Sequence, residues 1–175
     1  MEELKKSHLL ISLGLGGLIG FLCAWVNTFY MIYTLPLFFV TGNFNIIMLV
    51  TACIIAPFVE ELSKPIGVYL IKMEEKALLS VKNWTILGTF AGLGFGLMEN
   101  LMYTFNAYMV AGAEVASLLL LLRTLLCIPL HMIATTISCF GFGLWANTGK
   151  IKYFIVYILI SMLIHGSYNF IASII

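Results

Sequence analysis

Five long apolar segments dominate this sequence and restrict what it can fold into. A helix needs about 20 mostly apolar residues to cross the hydrocarbon core of a bilayer. Five windows meet that requirement, at about residues 9–29, 44–71, 84–109, 117–147 and 153–174. The whole chain is 62% hydrophobic and only 10% charged, whereas soluble domains average about 25% charged residues. We therefore predict an all-α integral membrane protein that forms a single domain over residues 1–175.

The basic residues predict how these spans are oriented, because cytoplasmic loops of membrane proteins are enriched in Lys and Arg. Seven of the nine basic residues lie outside the five windows: Lys5, Lys6, Lys72, Lys76, Lys82, Lys150 and Lys152. Five spans with a cytoplasmic N-terminus place all seven on one side, whereas a sixth span at residues 30–41 would scatter them. We interpret residues 30–41 as a re-entrant or interfacial piece. The first window is too long for a cleaved signal peptide, so we expect a retained span.

Several functional classes are excluded by composition and motif context. The net charge of +1 provides no basic surface for nucleic acid. The stretch "GLGFG" lies inside a predicted span without a preceding strand, so it is not a nucleotide-binding loop. The four cysteines form no CxxC and are interpreted as packing residues. Glycines four residues apart predict close helix contacts, at Gly16 and Gly20 and at Gly88, Gly92 and Gly96.

Ionisable residues inside the predicted spans indicate a functional site. Each costs about 2.5–3.5 kcal/mol at the bilayer centre on insertion scales, and such residues usually face the bundle interior. The second to fifth spans carry, in order, Glu60, Glu61 and Lys64; Glu99 with Asn100 and Tyr103; Arg123 and His131; and His165 with Asn169. At a rise of about 1.5 Å per residue, the carboxylates and histidines of these four spans lie at similar depths, about 15–24 Å from the cytoplasmic ends. We therefore predict one polar site shared by spans two to five.

The residue types in this site restrict the catalytic mechanisms that it could support. The chain contains no aspartate, which excludes an aspartyl protease, and it has neither HExxH nor a GxSxG motif. Lys64 follows Glu60 by four residues and Glu61 by three, so it can neutralise one carboxylate and leave the other available. Two routes to activated water remain open. A carboxylate can act as general base while His and Asn stabilise an oxyanion, or Glu and His can hold a metal ion that activates water.

The same residues carry a family resemblance. The motifs "EELSK" at 60–64, "FGLMENLMY" at 95–103, the isolated His131 and "HGSYN" at 165–169 follow one another in order. This arrangement resembles the PrsW family of intramembrane proteases, within the wider superfamily of CAAX prenyl endopeptidases and bacteriocin-processing enzymes. Those relatives carry an Arg after the double glutamate and a His in an FxxxH motif. Here Lys64 and Glu99 occupy these places, which favours the PrsW branch.

The resemblance implies hydrolysis of a peptide bond in membrane-anchored protein substrates, at a prokaryotic plasma membrane. It implies a catalytic pair of Glu60 and Glu61, further catalytic or metal-binding groups at Glu99 and His131, and an oxyanion side formed by His165 and Asn169. Within that frame we expect Glu61 to be the general base, with Glu60 paired to Lys64. If the protein uses a divalent metal ion such as zinc, the candidate ligands are Glu61, Glu99, His131 and His165.

The remaining polar residues are assigned supporting roles, and two other functions stay open. Lys64, Asn100, Tyr103 and Arg123 are expected to support the site, although Arg123 could equally extend to the outer membrane surface and Asn100 and Tyr103 could serve packing alone. The superfamily resemblance also reaches the non-catalytic APH scaffold subunit of gamma-secretase, which lacks the double glutamate. A proton-coupled transporter would also carry buried Glu and His, but the chain is short and shows no inverted repeats.

Overall fold

The computed structural model describes the backbone of residues 4–41, 44–75 and 80–174, and the side chains of residues 4–27, 45–71 and 80–174. Within these residues the chain is helical and contains no strand, as predicted. Its helices are α1 (Lys6–Thr41), α2 (Phe44–Val50), α3 (Ala56–Glu75), α4 (Val81–Thr148) and α5 (Lys152–Ile174). One turn of π-helix, Thr51–Ile55, joins α2 to α3 without a loop.

Helix α4 contains two spans joined by a sharp reversal at Gly112. A straight helix of its 68 residues would extend about 100 Å, whereas the hydrocarbon core is about 30 Å thick. Gly112 has φ 84° and ψ −178°, a conformation that is essentially restricted to glycine. The two halves, residues 81–111 and 113–148, pack against each other in antiparallel order. The contacts are Gly96 with Ile128, Gly92 with His131, Gly88 with Cys139 and Trp84 with Gly143.

The outer surface of the bundle is largely apolar, and the glutamates and histidines within its spans are buried. Four helical stretches of the described residues are long and apolar enough to cross a membrane: Lys6–Asn27, Asn45–Ile71, Val81–Thr148 and Lys152–Ile174. Because α4 folds back on itself, they provide five crossing segments. Val110 is 80% exposed and Leu163 70%, whereas Glu61 and Lys64 are fully buried. This distribution suits a lipid environment, and the chain is an integral membrane protein.

The first helix is longer than the span expected from hydropathy. Helix α1 runs without interruption to Thr41, so the backbone of residues 30–41 continues the first helix instead of forming a separate element. Its 36 residues extend about 54 Å, more than the hydrocarbon core requires. The position of 30–41 relative to the interface stays a prediction. Residues 42–43 and 76–79, which belong to the first two predicted connections, lie outside the described residues.

Glycine contacts bring α1 directly against α4. A Cβ atom on Gly16 would meet the backbone of Ala91, and one on Gly20 would lie 3.0 Å from the carbonyl oxygen of Phe95. The close contact predicted at Gly16 and Gly20 is therefore present, and so are those at Gly88, Gly92 and Gly96 between the two halves of α4. Ser12 Oγ donates a hydrogen bond of 2.7 Å to the carbonyl of Leu87, which fixes the register of the two helices.

The basic ends of the helices gather at one end of the bundle. The start of α1 meets the start of α4 through Ser12 and Leu87. Trp84, also at the start of α4, packs on Gly143 near the end of the same helix. Lys82, Lys150 and Lys152 lie within a few residues of these contacts. The topology therefore agrees with the charge distribution, and assignment of this end to the cytoplasm remains a prediction.

Candidate functional site

The π-helical turn before α3 anchors α5. Ala56 donates its N–H to the carbonyl of Thr51, five residues earlier, which widens the helix locally. Asn169 Nδ2 donates a hydrogen bond of 2.7 Å to the carbonyl of Ala52 in this turn. Gly166 lies against the same turn, where a Cβ atom would meet its backbone. These contacts place His165, the neighbour of Gly166, beside the glutamates of α3.

Polar side chains from α3, both halves of α4 and α5 form one continuous buried network. The structure brings together seven of the predicted residues: Glu60, Glu61, Lys64, Glu99, Arg123, His131 and His165. Arg123 Nη2 and His131 Nε2 each lie 2.8 Å from Glu99 Oε2. Lys64 Nζ lies 3.0 Å from His131 Nδ1 and 2.5 Å from Glu61 Oε1. His165 Nδ1 completes the chain at 2.8 Å from the same Glu61 oxygen.

Glu60 lies beside this chain and is less engaged than Glu61. Its Oε2 is 3.7 Å from Lys64 Nζ and 3.9 Å from His165 Nε2, beyond hydrogen-bonding distance. Its Oε1 accepts a hydrogen bond of 3.1 Å from Asn27 Nδ2 of α1. The expected pairing is thus altered, since Lys64 is closer to Glu61 than to Glu60. The two glutamates are adjacent in sequence, and the rotation of α3 about its axis decides which one meets the ammonium.

The network contains more carboxyl groups than lysine and arginine side chains, and it is shielded from solvent. The three carboxylates of Glu60, Glu61 and Glu99 face two permanent cations, Lys64 and Arg123, and the glutamates of α3 are at most 2% exposed. Charges in such a setting require partners, because water is not available to solvate them. The excess of carboxylate favours one additional cation or proton in the site.

Each histidine is oriented by a carboxylate, and its second ring nitrogen carries a lone pair, which in His131 already accepts a hydrogen bond from Lys64. An ammonium only donates hydrogen bonds, so His131 accepts from Lys64 at Nδ1 and donates from Nε2–H to Glu99. A carboxylate only accepts, so His165 donates from Nδ1–H to Glu61 and keeps a lone pair at Nε2. This carboxylate–histidine arrangement is typical of metal-binding histidines.

Three residues of the network could hold a metal ion. Glu60, His131 and His165 each offer one ligand atom, and these atoms lie within 4.8 Å of one another. Two imidazoles and one carboxylate are a donor set of catalytic zinc sites. Glu60 Oε2 is buried without a hydrogen-bond partner among the described residues, as expected of an oxygen reserved for an ion. The donor set therefore fits a divalent metal.

This triad differs from the ligand set expected from sequence. His131 and His165 were expected as ligands and remain candidates. Glu61 and Glu99, also expected as ligands, instead hold the two histidines, and Glu60 takes the carboxylate place in the triad. Sequence depth alone could not separate these roles, because all three glutamates reach the same part of the membrane.

The other predicted residues lie around the network. Arg123 pairs with Glu99, and its guanidinium carbon lies 3.9 Å from the ring centroid of Tyr103, so it is drawn toward the network and away from the outer surface. Asn100 Nδ2 donates to Thr124 Oγ1 at 2.9 Å and links the two halves of α4. Asn169 bonds the π-helical turn and touches no charged member of the network within the described chain. Its expected place beside an oxyanion stays a prediction.

Sequence reasoning missed two contacts of the network. Asn27 in the first span binds Glu60, and the Phe95 ring lies 4.2 Å from Lys64 Nζ in a cation–π contact. Asn27 could have been found by the rule that identified the other polar residues, because it too is polar within an apolar span. Phe95 opens the motif "FGLMENLMY", but the motif does not indicate that its ring meets the ammonium of Lys64.

A cavity of about 390 Å³ opens on the outer surface between α5 and the π-helical turn. Its lining includes Cys53, Met162, Gly166, Ser167 and Phe170. Because Gly166 follows His165, the cavity lies next to the network across the backbone of α5. A hydrolytic site in a membrane must admit both water and peptide, so it must open either laterally between helices or to one face.

Comparison with known proteins places almost the whole chain in one family. Residues 5–175 match a family model described as PrsW family intramembrane metalloprotease. No curated protein and no solved structure matched the chain. The matched range includes every helix described above and every residue of the polar network.

Proposed function

This chain belongs to the PrsW family of intramembrane metalloproteases, and from that premise we propose that it cleaves membrane-anchored protein substrates at the buried network of α3, α4 and α5. One observation carries this proposal. Glu60, His131 and His165 each offer one ligand atom, these atoms lie within 4.8 Å of one another, and Glu99 and Glu61 hydrogen-bond the two imidazoles. No observation favours the scaffold or the transporter over a protease.

In this proposal Glu60, His131 and His165 hold a divalent metal ion, for which zinc is the first candidate. When bound, such an ion supplies Lewis-acid activation of water and polarises the substrate carbonyl. Glu61 and Glu99 keep the two imidazoles in the tautomers that place the lone pair on the other ring nitrogen. An ion bound at His131 Nδ1 would have to replace the hydrogen bond from Lys64 there, and Lys64 would keep its shorter contact with Glu61.

The proton of the attacking water requires an acceptor, and Glu61 is suited to that role. Its Oε1 is held by Lys64 and His165, whereas its Oε2 is buried without a hydrogen-bond partner in the described part of the chain. The water oxygen bonds to the carbonyl carbon while its proton passes to Glu61 Oε2. The bond between that carbon and the amide nitrogen then breaks, and Glu61 delivers the proton to the leaving nitrogen.

We assign the approach of the substrate to the cavity between α5 and the π-helical turn. The cavity faces lipid, since Leu163 and Phe170 beside it are 70% and 49% exposed. No residue of the network lines the cavity, so a peptide bond in a membrane-anchored segment would reach His165 from this side only if α5 moved away from the turn. Asn169 and Gly166 hold α5 to the turn and so determine the shape of the opening.

Cleavage of single-span substrates by the purified protein in liposomes tests this function. Wild type should release fragments that mass spectrometry identifies, and a strong chelator should abolish the release until a divalent metal is restored. Glu61→Gln should retain bound metal but lose about 10²–10⁴-fold in rate. Glu60→Gln should lose both metal and cleavage. Glu114→Gln, a change at an exposed glutamate, provides the matched control and should leave both unchanged.

Three outcomes would contradict the proposal. Cleavage that continues in the presence of the chelator would exclude a catalytic metal ion. The remaining mechanism would be activation of water by a glutamate alone. A Glu61→Gln variant that cleaves at the wild-type rate would remove Glu61 from the proton transfer. If wild type cleaves no substrate while a control protease does, the hydrolytic function itself fails.

A further inference from the structure

Among the side chains of α1 that the structure describes, residues 6–27, Asn27 makes a polar contact with the network. Gly16 and Gly20 let α1 approach the backbone of α4 closely. Asn27 follows Gly20 by seven residues, or about two helical turns, so both lie on the same face of α1. The glycine contacts therefore direct Asn27 into the bundle interior.

In the hydrogen bond between Asn27 and Glu60, the asparagine is the donor, and the bond occupies one of the two carboxylate oxygens. Asn27 Nδ2 donates to Glu60 Oε1 at 3.1 Å, because a carboxylate can only accept. The second oxygen, Glu60 Oε2, is then left 3.7 Å from Lys64 Nζ and 3.9 Å from His165 Nε2. Asn27 thus opposes a full ion pair between Glu60 and Lys64.

The carbonyl oxygen of the Asn27 amide lowers the stability of the fold, so packing alone does not explain an asparagine in this place. Its Oδ1 is buried and has no hydrogen-bond partner within the described residues. An unpartnered buried carbonyl is destabilising, whereas an apolar side chain of the same size would avoid that cost. An asparagine kept in this place is better explained by its bond to Glu60 than by stability.

We infer that Asn27 is a positioning residue, which holds the Glu60 carboxylate so that Oε2 remains free to bind the metal ion. The inference rests on the proposed metal-dependent function and adds a residue from α1, outside the motifs that identify the family. Hydrogen bonds to a ligating carboxylate restrict its rotation, and their loss lowers metal affinity by about 10–100-fold.

Zinc affinity of the purified full-length protein, measured by competition with a chromogenic chelator, tests this inference without relying on activity. Asn27→Leu removes the donor at nearly constant volume and should weaken zinc binding about 10–100-fold. Asn27→Gln restores a donor and should recover most of that loss. Asn147→Ala removes an amide that bonds the carbonyl of Gly143 at the far end of α4, and it should leave zinc affinity unchanged.

The outcomes separate this inference from the proposed function. Equal zinc affinity of wild type and Asn27→Leu would overturn the positioning role alone, as would an Asn27→Gln variant no better than Asn27→Leu. A wild type that binds no zinc would overturn both. Thermal unfolding without metal checks that both variants fold, and Asn27→Leu should lose some stability because it leaves Glu60 Oε1 without its donor. A loss of folded protein that Asn27→Gln shares with Asn27→Leu would mean that Asn27 serves folding.

Discussion

Replacement of Lys64 by methionine is the perturbation whose energetic effect follows most directly from the network. The side chain is fully buried, and its ammonium lies 2.5 Å from Glu61, 3.0 Å from His131 and 3.7 Å from Glu60. Methionine keeps the approximate volume and can still pack on Phe95, but it removes the charge and with it the cation–π contact. Among the described residues, Glu61 then retains His165 as its partner.

The expected loss in free energy of unfolding is that of removing one partner from a buried ion pair. Leaving an uncompensated buried charge costs about 3–5 kcal/mol. Since each factor of ten in an equilibrium corresponds to about 1.36 kcal/mol, the ratio of folded to unfolded protein should fall by about 10²- to several 10³-fold. The double variant Lys64→Met/Glu61→Gln removes the stranded carboxylate as well, and it should recover a large part of the lost stability.

Reversible unfolding of metal-free protein in mixed micelles, followed by circular dichroism, provides the assay. Lys82→Met is the matched control, because Lys82 is exposed at the start of α4, and it should change stability by less than about 0.5 kcal/mol. A Lys64→Met variant within about 1 kcal/mol of wild type would refute the buried pair. Strictly additive effects of Lys64→Met and Glu61→Gln would show that the two side chains do not interact.

Two further predictions concern the fold and the opening of the site. Gly112→Ala should destabilise the protein by about 1–3 kcal/mol in the same unfolding assay, because only glycine suits φ 84° at the reversal of α4. Gly14→Ala, within a regular helix and with open space around it, should instead be neutral or stabilising, and equal effects of the two changes would contradict the assigned turn. Ser167→Trp should fill the cavity beside α5 and raise KM at least tenfold, whereas Leu159→Trp on the exposed surface of the same helix should not. An unchanged KM for Ser167→Trp would move substrate entry elsewhere.

The number of spans and the membership of the polar network could be predicted because both depend on local pattern. Hydropathy over about 20 residues marks a span irrespective of its neighbours. The high cost of burying a charge selects residues such as Glu99 and His131 without knowledge of their partners. The spacing of Glu61 and Lys64 fixes their contact within one helix, and it is present in the structure.

The division of roles among the glutamates could not be predicted, because it depends on how α3 is rotated against its neighbours. Glu60 and Glu61 point in directions about 100° apart on a helix of 3.6 residues per turn. The π-helical turn before α3 and the contacts with α1 set that rotation, and neither has a clear signature in one sequence. The role of Asn27 likewise depends on the packing of Gly16 and Gly20 against α4.

The extension of α1 beyond residue 29 was missed for a related reason. Hydropathy reports which residues can lie in lipid, whereas helical structure requires only that the backbone hydrogen bonds continue. Counting residues to a bilayer thickness therefore ends the predicted span before the helix itself ends at Thr41.

If Glu60, His131 and His165 together hold a catalytic metal ion, X-ray absorption at the zinc edge should detect them as its ligands. We expect purified protein loaded with one equivalent of zinc to retain the ion tightly. Its first shell should contain nitrogen and oxygen only, at about 2.0–2.2 Å, with the scattering signature of two imidazoles. One imidazole should disappear in His165→Ala. Zinc that is not retained, or a shell containing sulfur at about 2.3 Å, would contradict the assignment.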